Sequence, residues 1–294
     1  MNNNHKLNQT IQLNDGRKLG YTDLGNSEGK PIFHFHGFPG SRLETTLIAE
    51  KVIQRGGRLI GVDRPGMGLS DFKKNRTILD WADDVLELAN YLNIDKFAVE
   101  GISGGGPYSA VCAYKIPDRL TACGIIAGVG PIALNKEGMM KSNRRLFFII
   151  RNFPWLFRIA ISFQARGMKN LKKAEKKMKK GLDKFPESDQ KILSDPSILP
   201  LFLKESAEAF RQGSKGVTHD GRLYTKPWGF NPKDISSKLK VVIWHGELDV
   251  NVPVSMGRTM NKAIPNSEGR FYPNDGHYSI AFNHIEEIID TLIK

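Results

Sequence analysis

Phe97-Ala-Val-Glu-Gly-Ile-Ser-Gly-Gly-Gly-Pro-Tyr108 is the stretch on which the reading of this chain turns. A Gly-x-Ser-x-Gly pentad (Gly101, Ser103, Gly105) stands directly after a short apolar run with strand character. A segment that reads as helix, Tyr108 to Tyr114, follows at once. Strand, sharp turn and helix are the context in which this pentad presents a nucleophilic serine. A serine squeezed between strand and helix takes strained backbone angles, which lift its hydroxyl clear of the sheet. The residues two places either side must lack a side chain, because the backbone doubles back there.

The chain carries its own control. Gly25-Asn-Ser-Glu-Gly29 matches the same pattern, but among polar neighbours, with no strand running into it and no helix behind. Gly, Asn and Ser favour turns, so this copy reads as a surface turn. Context singles out Ser103.

A length of 294 residues suits one large domain or a domain with a sizeable insertion. Hydrophobic content of 40% and charged content of 25% are those of an ordinary globular protein. The polar start Met1-Asn-Asn-Asn4 lacks the apolar centre of a secretory signal, and no run approaches the ~20 apolar residues of a membrane span. Cys112 and Cys123 form neither a disulfide framework nor a metal spacing, so a reduced, cytoplasmic protein is expected. The net charge of +12 suggests nucleic acid until it is located. Residues 134–232 hold 21 Lys and Arg against 9 Asp and Glu, which accounts for all of it. That asymmetry marks an inserted segment.

Outside the insert, short apolar strands alternate with amphipathic helices. Thr10 to Leu13 and Lys18 to Tyr21 flank Asn14-Asp15-Gly16, a hairpin signal. Strands are expected over 31–36, 58–62, 121–130, 241–245 and 269–272. Helices are expected over 42–54, 77–92 (behind a Thr77–Asp80 capping pair), 254–264 and 285–293. This alternation predicts a mostly parallel sheet covered on both faces.

A serine hydroxyl needs a base within hydrogen-bond reach and a third group to orient that base. In an open parallel sheet such groups gather at the carboxyl ends of the strands. Asp249 follows the strand at 241–245, and His277 follows the strand at 269–272. Ser103, Asp249 and His277 are therefore the candidate nucleophile, orienting acid and base. Glu247 and Asp275 are the rival carboxylates. The oxyanion needs donors already in place: the Gly104 N–H at the helix start, and Phe38 in His36-Gly-Phe-Pro39, where Pro39 has no N–H. His36 and His245 end core strands and are expected to be structural, and Asp63 and Arg64 to hold a turn.

With these residues in view, the chain resembles the α/β-hydrolases that carry a cap, of the esterase, epoxide-hydrolase and haloalkane-dehalogenase type. The resemblance rests on His36-Gly-Phe-Pro39, Asp63-Arg-Pro-Gly-Met-Gly68, Gly101 to Gly105, His245 to Pro253 and Gly276-His277. It covers residues 10–133 and 233–294, and implies a core domain of residues 1–133 and 233–294 with a helical cap of 134–232. Family members that open epoxides or remove halogens use aspartate at the elbow. Serine at 103 implies acyl transfer instead.

In the insert, Met168, Leu171, Ala174, Met178, Leu182 and Phe185 make one stripe, and seven lysines between 169 and 180 make a solvated basic face. Leu146 to Phe157 is expected to roof the pocket, with Trp155 and the Phe38 ring touching substrate. Arg151 and the helix-breaking Pro154 argue against a span. The expected activity is cleavage of a small to medium carboxylic ester with no cofactor or metal. A thioesterase, a lipase, a proline iminopeptidase or a C–C hydrolase would use the same three residues. A binding protein with little turnover, or docking of the basic cap on anionic lipid, are the readings from other classes. Lysines without interleaved aromatics in 169–180 argue against nucleic acid as a partner.

Overall fold

The computed structural model describes residues 6–131 and 139–294. The boundary expected at 133/134 and the polar start at Met1 to Asn4 lie outside these residues. The chain first runs β1 (Lys6–Gln12), β2 (Lys18–Gly25), β3 (Lys30–Phe35), α1 (Ala49–Gln54), β4 (Gly57–Val62), α2 (Trp81–Tyr91), β5 (Phe97–Ile102), α3 (Gly106–Lys115) and β6 (Leu120–Ile126). The helices α4 (Lys141–Asn152), α5 (Pro154–Met168), α6 (Leu171–Lys179), α7 (Glu187–Ser194), α8 (Leu199–Glu208) and α9 (Lys215–Leu223) follow. The chain then returns through β7 (Val241–Gly246), α10 (Val254–Ala263), β8 (Glu268–Tyr272), α11 (Ser279–Asn283) and α12 (Ile285–Leu292).

The eight strands form one sheet in the order β1-β2-β4-β3-β5-β6-β7-β8. The β1–β2 and β2–β4 pairs are antiparallel, and all others are parallel. Gly16, with φ +85°, turns the first hairpin at the expected Asn14-Asp15-Gly16. Side chains alternate across the pleat. Phe33, Ile60, Val99 and Ile243 pack in the core shared with α2, α3 and α10. Their neighbours Ile32, Leu59, Ala98 and Val242 pack with α1 and α12. Both faces are thereby buried, which is why these strands read as continuous apolar runs.

Strand order reverses at β3, which lies between β4 and β5. The loops after β3 and β5 thus open a crevice at the carboxyl edge, the place where such sheets bind ligands. The loop at His36 and the serine at 103 meet there.

Two helices differ from expectation. Residues 42–54 split into a 3₁₀ segment, Arg42–Leu47, and the short α1. The Thr45 and Thr46 hydroxyls bond the carbonyls of Arg42 and Leu43 at 2.7 Å, three residues back, and so compete with α-helical geometry. The helix expected from 77 begins at Trp81. The Asp80 carboxylate accepts both the N–H and the hydroxyl of Thr77 at 2.7 Å, so the capping pair forms in the turn before it. Among the described residues no helix is long and apolar enough to cross a membrane.

Candidate active site

Ser103 sits at the turn between β5 and α3 with φ +54°, the left-handed region that a side chain rarely occupies. Its glycine neighbours are required by space. A Cβ on Gly101 would stand 2.4 Å from the Gly105 carbonyl oxygen, and one on Gly105 would stand 2.0 Å from the Phe35 carbonyl oxygen. The Ser103 carbonyl accepts the Val129 N–H at 2.9 Å, which ties the elbow to the loop after β6. The hydroxyl is left facing the crevice.

The His277 Nε2 lies 3.0 Å from the Ser103 Oγ, and its Nδ1 lies 2.7 Å from the Asp249 Oδ2. A carboxylate only accepts, so the ring hydrogen sits on Nδ1 and the Nε2 lone pair faces the serine. The other Asp249 oxygen accepts the N–H groups of Asn251 and Val252, each at 2.8 Å. Burial would raise the Asp249 carboxyl, but the His277 charge and the hydrogen bonds from His245 and His277 hold it down at about 2. Burial works against the His277 imidazolium, yet the facing Asp249 carboxylate outweighs it and raises the imidazole above its ordinary value. The rival carboxylates are taken elsewhere. Asp275 accepts from Asn283 at 2.7 Å and lies 2.8 Å from His284, and Glu247 pairs with Arg258 at 2.7 Å. The structure brings Ser103, His277 and Asp249 together.

The histidines that end strands do other work. The His245 Nε2 donates to the Val252 carbonyl at 2.8 Å, and the His36 Nδ1 to the Gly37 carbonyl at 2.9 Å. Both are buried; the His36 Nε2 also accepts the Arg64 N–H at 3.3 Å, and the His245 Nε2 lies 3.4 Å from the Asp249 carboxylate, where it supports the orienting acid. Phe38 and Gly104 are adjacent: a Cβ on Gly104 would come within 2.7 Å of the Phe38 Cβ, so the two residues expected to supply the donors lie side by side next to the serine. The Phe38 ring packs edge-on against Tyr224, with centroids 5.3 Å apart.

Two cavities meet at Ser103, His277, Tyr278 and Phe38. The larger, about 250 Å³, is walled by apolar chains that include Ile102, Met168, Met178 and Phe202, and by the carboxyls of Glu44, Glu100 and Glu205. The smaller, about 210 Å³, is walled by Met139, Leu146, Phe147, Ile150, Tyr224 and Val252. Helices α4, α5, α6 and α8 therefore cover the site from above.

Trp155 is not part of this wall, which corrects the expectation that it touches substrate. It lines neither cavity and is 64% exposed. The buried side of α5 carries Phe157 and Ile161. Trp155 stands two residues before Phe157, and a helix turns about 100° per residue, so it points roughly the opposite way. Of the expected roof, Leu146, Phe147 and Ile150 do line the smaller cavity. The stripe on the basic helix also splits: Met168 and Met178 line the larger cavity, while Leu171 is exposed.

Two acids from the helices between β6 and β7, neither among the site residues expected from the sequence, also support the site. Asp189 of α7 is fully buried and accepts the N–H groups of His277, Tyr278 and Ser279 at 2.8, 2.9 and 2.9 Å. It holds the loop that carries the histidine. Asp220 of α9 accepts from Arg64 Nε and Tyr224 Oη, each at 2.9 Å, and from Arg76 and Tyr108. Burial would raise the Asp220 carboxyl, but the Arg64 and Arg76 guanidiniums hold it well below the usual range. Arg64 also donates to the carbonyls of His36 and Gly37, behind Phe38. It reaches well beyond the turn it was expected to hold. Asp63 does hold that turn, accepting the N–H groups of Arg42 and Leu69 at 2.7 and 2.8 Å. One signal for Asp220 was present: Val217, Asp220, Leu223 and Tyr224 fall at helical spacing, which sets a carboxylate on an apolar stripe.

Residues 30–283 match the family described as alpha/beta hydrolase fold. The chain is 26% identical to a probable proline iminopeptidase of Leptolyngbya boryana, over 92% of this chain and 88% of the relative. An alpha/beta hydrolase fold protein from Nakamurella multipartita has a TM-score of 0.71 at 20% identity, over 97% of this chain and 99% of its own. An esterase from Exiguobacterium antarcticum has a TM-score of 0.67 at 20% identity, over 97% and 98%. The chain belongs to the alpha/beta hydrolase fold family.

Proposed function

We propose that this hydrolase is a serine esterase that cleaves a small to medium carboxylic ester through an acyl-enzyme. The observation that carries the reading is the unbroken line Ser103–His277–Asp249, at 3.0 and 2.7 Å, standing where two cavities meet. An ester has two limbs on either side of its carbonyl, and two cavities flanking one nucleophile suit an acyl and an alkoxy limb. Ser103 Oγ attacks the carbonyl carbon while its proton passes to His277 Nε2. Asp249 stabilises the imidazolium, and the N–H groups of Phe38 and Gly104 receive the oxyanion. Collapse expels the alcohol, which takes the proton from His277. Water then repeats the sequence and frees the acid. We take residues 139–232 as the described part of a cap over this site.

The test is intact mass after a fluorophosphonate, which needs an activated serine rather than a known substrate. One adduct on the natural protein, absent from Ser103→Ala, is the expected result. No adduct on folded protein would overturn the reading and favour a binding protein. The pH profile gives a second check. The base must be neutral, and His277 is raised above 6.5, so the acid limb of kcat/KM is expected above pH 6.5. Stability moves the other way: a raised folded value stabilises below pH 6.5, and that contribution is lost as pH rises through the folded value. An acid limb well below 6.5 would count against His277 as the base.

A second reading, release of an N-terminal residue from a peptide, is favoured by the wall of the larger cavity. Three carboxyls, Glu44, Glu100 and Glu205, stand there against one buried imidazole, His34, which pairs with Glu44 at 3.0 Å and with Glu100. Glu100 Oε2 there is buried and without a partner among the described residues. Burial and the neighbouring Glu44 raise Glu205 well above the carboxylate range, and an ammonium placed against it would bring it down. The relative from Leptolyngbya boryana bears the name of such an enzyme. Comparing a proline arylamide with its N-acetylated form separates the readings. A preference for the free amine that Glu205→Gln removes would favour the peptidase, and equal rates would sink it.

A further inference from the structure

The helical hairpin α4–α5 turns an apolar face to solvent. Of the eleven large apolar side chains that are exposed among the described residues, eight lie between 146 and 171, which makes this a patch rather than scatter. On α5, Trp155, Ile159 and Phe163 stand four residues apart and form one stripe, 64%, 46% and 63% exposed. It lies across the helix from the buried pair Phe157 and Ile161. Phe148, at the end of α4, continues it through Phe153, their rings 6.1 Å apart. Basic side chains rim the stripe. Arg144, Arg145, Arg151, Arg158 and Arg166 are all exposed, and the Arg166 guanidinium lies 5.6 Å from the Phe163 ring. From 141 to 168 there are six Lys and Arg and no Asp or Glu.

We propose that α4–α5 is an interfacial anchor that docks the protein on an anionic lipid surface, its aromatic stripe entering the headgroup layer and its arginines pairing with lipid phosphates. The composition of the face selects this occupant. A second copy of the chain would set cationic rims against each other without a carboxylate to answer them. A nucleic acid would answer the arginines and leave the Phe and Ile stripe in water. Anionic lipid answers both, and aromatic chains with Lys and Arg at one helical face are what lie flat in a bilayer interface. The geometry joins this face to the cavity, because Gln164 and Met168 on the same helix line the space above Ser103. Docking is a binding event and stands apart from the esterase reading.

The chain supplies its own probe. Of its four tryptophans, Trp81, Trp228 and Trp244 are buried and Trp155 alone is exposed. The experiment titrates the full chain with vesicles of phosphatidylcholine, with and without phosphatidylglycerol, at low and raised salt. It follows tryptophan emission and the protein pelleted with the vesicles. Expected are a blue shift and pelleting with phosphatidylglycerol that weaken with salt. In Trp155→Phe the shift should vanish while pelleting remains. Arg151→Glu with Arg158→Glu should weaken binding by about thirtyfold or more, and Trp155→Ser with Phe163→Ser by on the order of tenfold. These positions are exposed, so each variant should keep the natural thermal transition, and that is measured alongside. No pelleting at low salt would overturn the proposal. Pelleting without a blue shift, indifferent to the Ser substitutions, would move the contact to the lysines of α6 and overturn it too. So would a concentration-dependent dimer that the Ser substitutions abolish.

Discussion

Asp249→Asn is expected to lower kcat by about ten-thousandfold while leaving the fold intact. The reason lies in how the carboxylate is held. One oxygen accepts the N–H groups of Asn251 and Val252 at 2.8 Å each. An asparagine would keep its carbonyl oxygen in that place, because an NH₂ there would face two donors. Its NH₂ must then point at His277 Nδ1, 2.7 Å away. A donor at that position forces the ring hydrogen onto Nε2, where it faces the Ser103 hydroxyl and blocks proton transfer. Two measurements check this, kcat/KM on an activated ester and the thermal transition. A loss below about tenfold with the fold intact would remove Asp249 as the orienting acid.

Asp220→Ala is expected to lower the unfolding free energy by about 3–5 kcal/mol, because it strands buried cations. Arg64 and Asp220 are fully buried, and Arg76 is 4% exposed. With the carboxylate gone, two guanidiniums lose their counter-charge, and the Tyr108 and Tyr224 hydroxyls lose an acceptor. A typical domain is stable by about 5–15 kcal/mol, so about a fifth or more of the margin would go. The damage should reach the site as well. Arg64 holds the carbonyls of His36 and Gly37, and Tyr224 lies 2.9 Å from the Gly104 carbonyl, so both candidate oxyanion donors rest on this cluster. Asp220→Asn keeps the shape and removes the charge, and should follow the alanine variant in sign. Urea denaturation of both variants gives the number. A loss under about 1 kcal/mol would mean that Arg64 and Arg76 are balanced by other groups.

The core of the site was legible because its demands are local. A strained turn needs Gly at 101 and 105 whatever surrounds it, and an acid and a base at strand ends follow from the sheet. Periodicity of two and of 3.6 placed the strands and most helices, since burial of both sheet faces leaves a continuous apolar run. Where local chemistry competed with pattern, pattern failed: two threonine hydroxyls converted the expected start of the 42–54 helix into 3₁₀ turns.

Tertiary structure alone decided the rest. Asp249, Glu247 and Asp275 are equal as letters, and only Arg258, Asn283 and His284 in space show which carboxylate is left for His277. Trp155 lies in an apolar run that suits a roof, but the break at Pro154 sets the phase of α5, and that phase turned the indole outward. Asp189 and Asp220 read as scattered acids in a basic insert. They matter through partners 88 and 156 positions away in the chain, and a pairing of that range is decided by how the insert packs on the sheet. The run from Phe97 to Tyr108 marks where a nucleophile must stand. Packing over distance decided which charges surround it, because a buried charge is defined by its partners and those partners are not its neighbours in the chain.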